Sequence, residues 1–154
     1  MITSKRFNLA VQKLYSAFHN NTLNPEDCKH CAVGNILDNI SQWEYLSEKH
    51  GTTRLSYIGM LNQKLGRRFN GYSPMELLQV ETAFLKGCGY KFIKNNRLQK
   101  PKNFKDNDIL FNGLSEVIAV LCRLDNIENV MAIDTIQNSI SNQKSRKFKE
   151  KIYI

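Results

Sequence analysis

The side chains best suited to chemistry in this chain are Cys28-Lys29-His30-Cys31, two thiols separated by two residues. The preceding run, Asn24-Pro25-Glu26-Asp27, has the pattern of a helix start: asparagine as cap, proline at the first position and carboxylates in the first turn. The pattern predicts a helix to about Leu37, with Cys28, Cys31, Ala32 and Ile36 along one side. A helix N-terminus favours negative charge and Lys29 adds to it, so the spacing predicts ready thiolates. A tetrahedral metal site needs two further ligands. Cys88, between Gly87 and Gly89, is the third candidate, and His19, ahead of the cysteine pair, is the fourth. Zinc suits this donor set best, and an iron–sulfur cluster suits it less well.

The same residues carry two other readings. Cysteine packs as a small hydrophobe, which would make Cys28 and Cys31 part of the core. A redox pair would use Cys28 as nucleophile and Cys31 as its resolving partner, but the thioredoxin arrangement wants a strand before the motif, where this chain has an amphipathic helix. Cys122 lies within an apolar helical stretch and reads as core. His50 beside Gly51 reads as a surface or helix-end residue. No serine sits in a nucleophile elbow, no glycine-rich phosphate loop occurs, and carboxylates such as Asp106 and Asp108 sit where helix starts want them. The residues therefore point to a non-enzymatic protein with a structural or sensory cysteine metal site.

Charge offers the alternative. The formal net charge is +8, and from residue 86 to 105 the basic residues Lys86, Lys91, Lys94, Arg97, Lys100, Lys102 and Lys105 meet no acidic one. Tyr90, Phe92 and Phe104 interleave with them, and lysines and arginine recur in the tail. Such a segment can neutralise phosphates while its aromatics stack on unpaired bases, so a nucleic acid, or an acidic protein, is the expected partner on this reading.

The elements that must position these groups are helical. Phe7, Val11, Leu14 and Phe18 form one stripe, ended by Asn20-Asn21. Ser41 to Lys49, with the single tryptophan Trp43, reads as a short helix or ordered loop. Arg54 to Leu65 places Leu55, Ile58, Leu61 and Leu65 in helical register and stops near Gly66. Ser73-Pro74-Met75-Glu76 combines a capping box with proline at the first position, and Gly87-Cys88-Gly89 closes that helix. Residues 90–107 read as a basic, asparagine-rich connection. A long apolar helix follows from about Asp108 to Leu124, and Ile127 to Ile140 offers a last one. No stretch alternates as a strand must. The expected fold is all-α, a compact single domain of about five to six helices over residues 1–142 with a basic, frayed tail over 143–154.

At 154 residues the chain can bury a core without staples, and 42% hydrophobic against 23% charged residues excludes wholesale disorder. No secretory signal and no apolar run of membrane-spanning length is present, so a cytoplasmic location with no membrane partner is expected. Several stretches together resemble a known family: Ala17-Phe18-His19-Asn20, Asn24 through Asn35, Gly66 through Pro74, Phe84 through Tyr90, and Leu121 through Val130. They are similar to a family of short proteins of Bacteroidetes bacteria that is named after the flavoprotein component of the sodium-translocating NADH–quinone reductase. The resemblance implies a small helical protein. It implies no flavin or NAD, because the chain lacks a dinucleotide fingerprint and its cysteines do not follow a two-iron ferredoxin spacing.

Overall fold

The computed structural model describes residues 4–48, 54–93 and 97–128. Among these residues six helices and one short hairpin follow in the order α1 (Lys5–His19), α2 (Ala32–Ile36), α3 (Gln42–Leu46), α4 (Tyr57–Lys64), α5 (Pro74–Gly87), β1 (Lys91–Ile93), β2 (Arg97–Gln99) and α6 (Asn107–Leu124). The all-α expectation holds at the level of class. The hairpin was not legible: Lys91 pairs with Gln99, Phe92 with Leu98 and Ile93 with Arg97 inside the segment read as a basic, asparagine-rich connection. Three-residue strands are too short to show an alternation. The sequence-expected helix over 127–140 and the basic tail over 143–154 fall largely or wholly outside the described residues.

Capping chemistry fixes most boundaries. Ser4, Ser56 and Ser73 each accept the amide three residues on, and at α5 the Glu76 carboxylate returns to the Ser73 amide at 2.9 Å. Such caps contribute about 1 kcal/mol each. Asparagine serves as the helix terminator here. Asn21 after α1 and Asn126 after α6 both take positive φ, a conformation asparagine tolerates better than most residues.

The core centres on α5 and α6, which run in opposite senses. Gly87 and Gly113 let them cross closely: a Cβ on Gly113 would lie 2.4 Å from the Cys88 sulfur and 3.0 Å from the Phe84 carbonyl oxygen. Phe84, Leu85, Leu114, Val117, Ile118 and Leu121 are buried between them. At the other end of the pair Arg6 of α1 ties the Glu76 carboxylate, at the start of α5, to Asp125, just past the end of α6. The α1 helix buries Phe7, Ala10, Leu14 and Ala17, while Val11 and Phe18 of the expected stripe lie at its margin. All five residues of α2 are buried. Among the described residues no helix is long and apolar enough to cross a membrane.

Candidate functional site

The cysteine pair lies in a turn and not on a helix. Residues 25–30 form successive turns because Asp27 competes for the backbone: its carboxylate accepts the Lys29 amide at 2.9 Å and binds His30 Nδ1 at 2.7 Å. The carbonyl of Asp27 takes the His30 and Cys31 amides, and Asn24 N–H reaches back to the His30 carbonyl at 2.8 Å. The helix starts only after Cys31, whose extended backbone makes it the N-cap of α2. Its sulfur accepts the Gly34 amide at 3.4 Å and its thiol donates to the Cys28 carbonyl at 3.6 Å. The sulfur therefore does the work that serine usually does.

This placement changes the expected chemistry. Partial burial pushes the Cys28 thiol up, and Glu44 and Asp27 push in the same direction. Full burial, with Glu81 nearby, holds Cys31 well above the ordinary thiol range. Burial and then Glu81 raise Cys88 to about 12. The spacing predicts ready thiolates, whereas these environments favour neutral thiols. His19 is exposed at the end of α1, stacked on Tyr15 and edge-on to Phe18. Among the described residues no three His, Cys, Asp or Glu side chains group as a metal ion would require. Cys28, Cys31, Cys88 and His19 form no such group in this structure. Cys88 instead packs against Gly113 at the helix crossing, and Cys122 is buried in α6.

Glu81 was missed by sequence reading. It is buried in α5, accepts the Val33 amide at 3.5 Å and faces the Cys31 and Cys88 thiols. Its signal was present: an acid on the apolar face of α5, one turn after Leu77 and one before Leu85.

The basic segment is partly spent on the fold. Lys100 pairs with Glu26 at 3.1 Å and lies 4.0 Å over the Phe104 ring, which Lys105 approaches at 5.7 Å. Tyr90 is buried with its hydroxyl on Glu26 at 2.5 Å. Two of the three aromatics expected to stack on bases are therefore engaged. Lys91, Lys102 and Lys105 are exposed; Lys94 and the Arg97 side chain lie outside what is described.

The departure with the clearest bearing on function is α4. Of the residues expected in helical register Leu55 is buried, whereas Ile58 is 49% exposed, Leu61 46% and Leu65 60%, with Tyr57 at 82% and Met60 at 53%. The inward side belongs to Gly59, where a Cβ would lie 2.1 Å from the Leu46 carbonyl oxygen, with Asn62 and Gln63 half-buried. Gln63 accepts the Met75 amide at 2.9 Å, and Met75 is itself exposed. The close approach of α4 to the α3 backbone demands a glycine, and that requirement sets which way the helix faces. Beside this apolar surface Lys64 and Arg67 are exposed, and Arg68 pairs with Glu76 at 3.1 Å. Comparisons with protein-family models, with curated proteins and with solved structures found no match.

Proposed function

We propose that this is a non-enzymatic binding protein that docks an acidic, amphipathic polypeptide segment on the outer face of α4. The observation that carries the reading is the inversion of α4, which turns five large apolar side chains outward on a helix of eight residues and its cap. An apolar stripe facing water is unfavourable in isolation, at about 25 cal/mol for each Å² left exposed, so a contiguous patch marks a contact surface. The cationic flanks select the partner. Lys64 and Arg67 are exposed beside the stripe, whereas Arg68 is already paired with Glu76. The cysteines on this reading serve packing and capping.

The test uses a fluorescent helix-forming peptide with leucines at helical spacing and glutamates on its flanks. Fluorescence anisotropy should show saturable binding that weakens about tenfold or more in Leu61→Asp, as removal of a central apolar anchor does. Added salt should weaken it further. Binding unchanged by Leu61→Asp, or absent from the wild-type chain, would remove α4 as the docking face.

A further inference from the structure

The connection between α1 and α2, the turn before α2 and the start of α6 together enclose a cleft of about 370 Å³, which shares no residue with α4. Ligand pockets begin at about 300 Å³, so a small molecule, or one functional group of a larger one, fills it. Polar side chains enter its lining from all three stretches: Asn21 and Asn24, then His30, then Lys105 and Asn107. Buried Leu23 and Leu110 limit the water that competes for these groups. Lys105 is exposed and, among the described residues, pairs with no carboxylate; its ammonium approaches the Phe104 ring at 5.7 Å. The His30 ring is fixed through Nδ1, which meets Asp27 at 2.7 Å and leaves Nε2 for a ligand. Asn107 opens α6, whose 18 residues add partial positive charge at that end.

Among the described residues no acid lines the cleft. Of those close in sequence, Glu26 pairs with Lys100, Asp27 accepts the Lys29 amide, and Asp106 accepts the Asp108 amide at 2.8 Å. Asp108 itself lies outside the lining. The cleft is therefore a place for an anion, with asparagine amides that add donors to the two bases. A carboxylate presents two oxygens in one plane. A phosphate monoester presents three strong acceptors spread about a tetrahedron. Donors that arrive from three separate chain segments match the second shape. We propose that this cleft binds a phosphate monoester, with Lys105 and His30 Nε2 on its oxygens and the Asn21, Asn24 and Asn107 amides around them. The site is independent of the α4 docking face and stands or fails separately.

The test titrates isotope-labelled full-length protein with phenyl phosphate at constant ionic strength, read by amide NMR. Saturable shifts should concentrate at residues 21–24, at His30 and at residues 105–110. Lys105→Gln, a change at an exposed position, should weaken the affinity about tenfold, the loss of one charge-assisted hydrogen bond. His30→Ala should weaken it comparably, and Asn107→Asp should abolish binding by placing a like charge in the cleft. Benzoate should bind about tenfold more weakly than phenyl phosphate. No saturable shift, shifts centred elsewhere, equal binding of benzoate, or an affinity unchanged in Lys105→Gln would overturn the proposal. Two oligonucleotides, with and without a terminal phosphate, then identify the source of the group. A phosphorylated strand that binds no tighter than phenyl phosphate assigns the cleft to a free phosphorylated metabolite. Tighter binding that depends on the terminal phosphate assigns it to a nucleic-acid end. Equal shifts at these residues from both strands would mean that the terminal phosphate is not read, and would overturn the monoester.

Discussion

Replacing Arg6 with alanine should remove a large share of the stability that joins the ends of three helices. The Arg6 guanidinium donates to Asp125 through Nε at 2.8 Å and approaches the same oxygen through Nη2 at 2.5 Å. It also donates to the Gly71 carbonyl at 2.8 Å, to Glu76 at 3.2 Å and to the Leu124 carbonyl at 3.3 Å, and lies 4.5 Å over the Tyr72 ring. Hydrogen bonds to a charged group contribute roughly 1.5–3 kcal/mol each, but these share one cation and do not add. The side chain is 19% exposed, which screens the ion pairs in part. The deserted partners are not stranded: Asp125 keeps the Ser4 hydroxyl, and Glu76 keeps Arg68 and the Ser73 amide. The expected loss is therefore about 3 kcal/mol, well below the arithmetic total and close to the cost of breaking a buried pair. For a domain of this size that lowers Tm by about 10 °C. Urea unfolding followed through buried Trp43 reads the change, and a double-mutant cycle with Asp125→Ala isolates the pair. Arg6→Lys should recover little, because an ammonium cannot span these acceptors at once. A loss under about 0.5 kcal/mol, or strictly additive effects of Arg6→Ala and Asp125→Ala, would refute the argument.

Other substitutions probe separate parts of the fold. Gly113→Ala forces a methyl against the Cys88 sulfur and the Phe84 carbonyl, and calorimetry should show a loss of about 1–3 kcal/mol, partly relieved by Cys88→Ala. Tyr72→Phe should be neutral or stabilising by up to about 1 kcal/mol in denaturant titration, since the buried hydroxyl finds no partner among the described residues. The Lys29 amide, and then His30, hold the Asp27 carboxyl below its ordinary value. A depressed folded value gives stability that is complete above about pH 4 and fades as pH falls through it, so wild type and Asp27→Ala should differ at pH 5 and converge in acid.

Sequence reading succeeded where local chemistry decides the structure. The capping box at Ser73, the asparagine after α1 and the glycine after α5 each act within four residues, and those helix ends fell where expected. It failed where tertiary contacts choose between local options. At Cys28 the competition was itself local: Asp27 takes the Lys29 amide and His30 and holds the chain in a turn until Cys31. The apolar register of Ile58, Leu61 and Leu65 is a true helical stripe, but its direction depends on Gly59 meeting the Leu46 carbonyl, a contact across thirteen residues. The cysteine spacing was legible as a motif and silent about burial, which is what separates a packed thiol from a ligand.

The enclosure of α2 has a consequence for how the chain reaches its native state. Five residues cannot hold a helix in water, because nucleation costs more than so few hydrogen bonds return. Every residue of α2 is buried, and its cap is a sulfur, a weak acceptor. Its walls come from α1 on one side and α5 on the other, and its Val33 amide reaches Glu81. The α5–hairpin–α6 unit closes over a short stretch of chain, whereas α1 must be brought to it from the far end of the sequence. The α2 helix is accordingly expected to form late, when those walls meet, and mutations within it should change the unfolding rate far more than the folding rate.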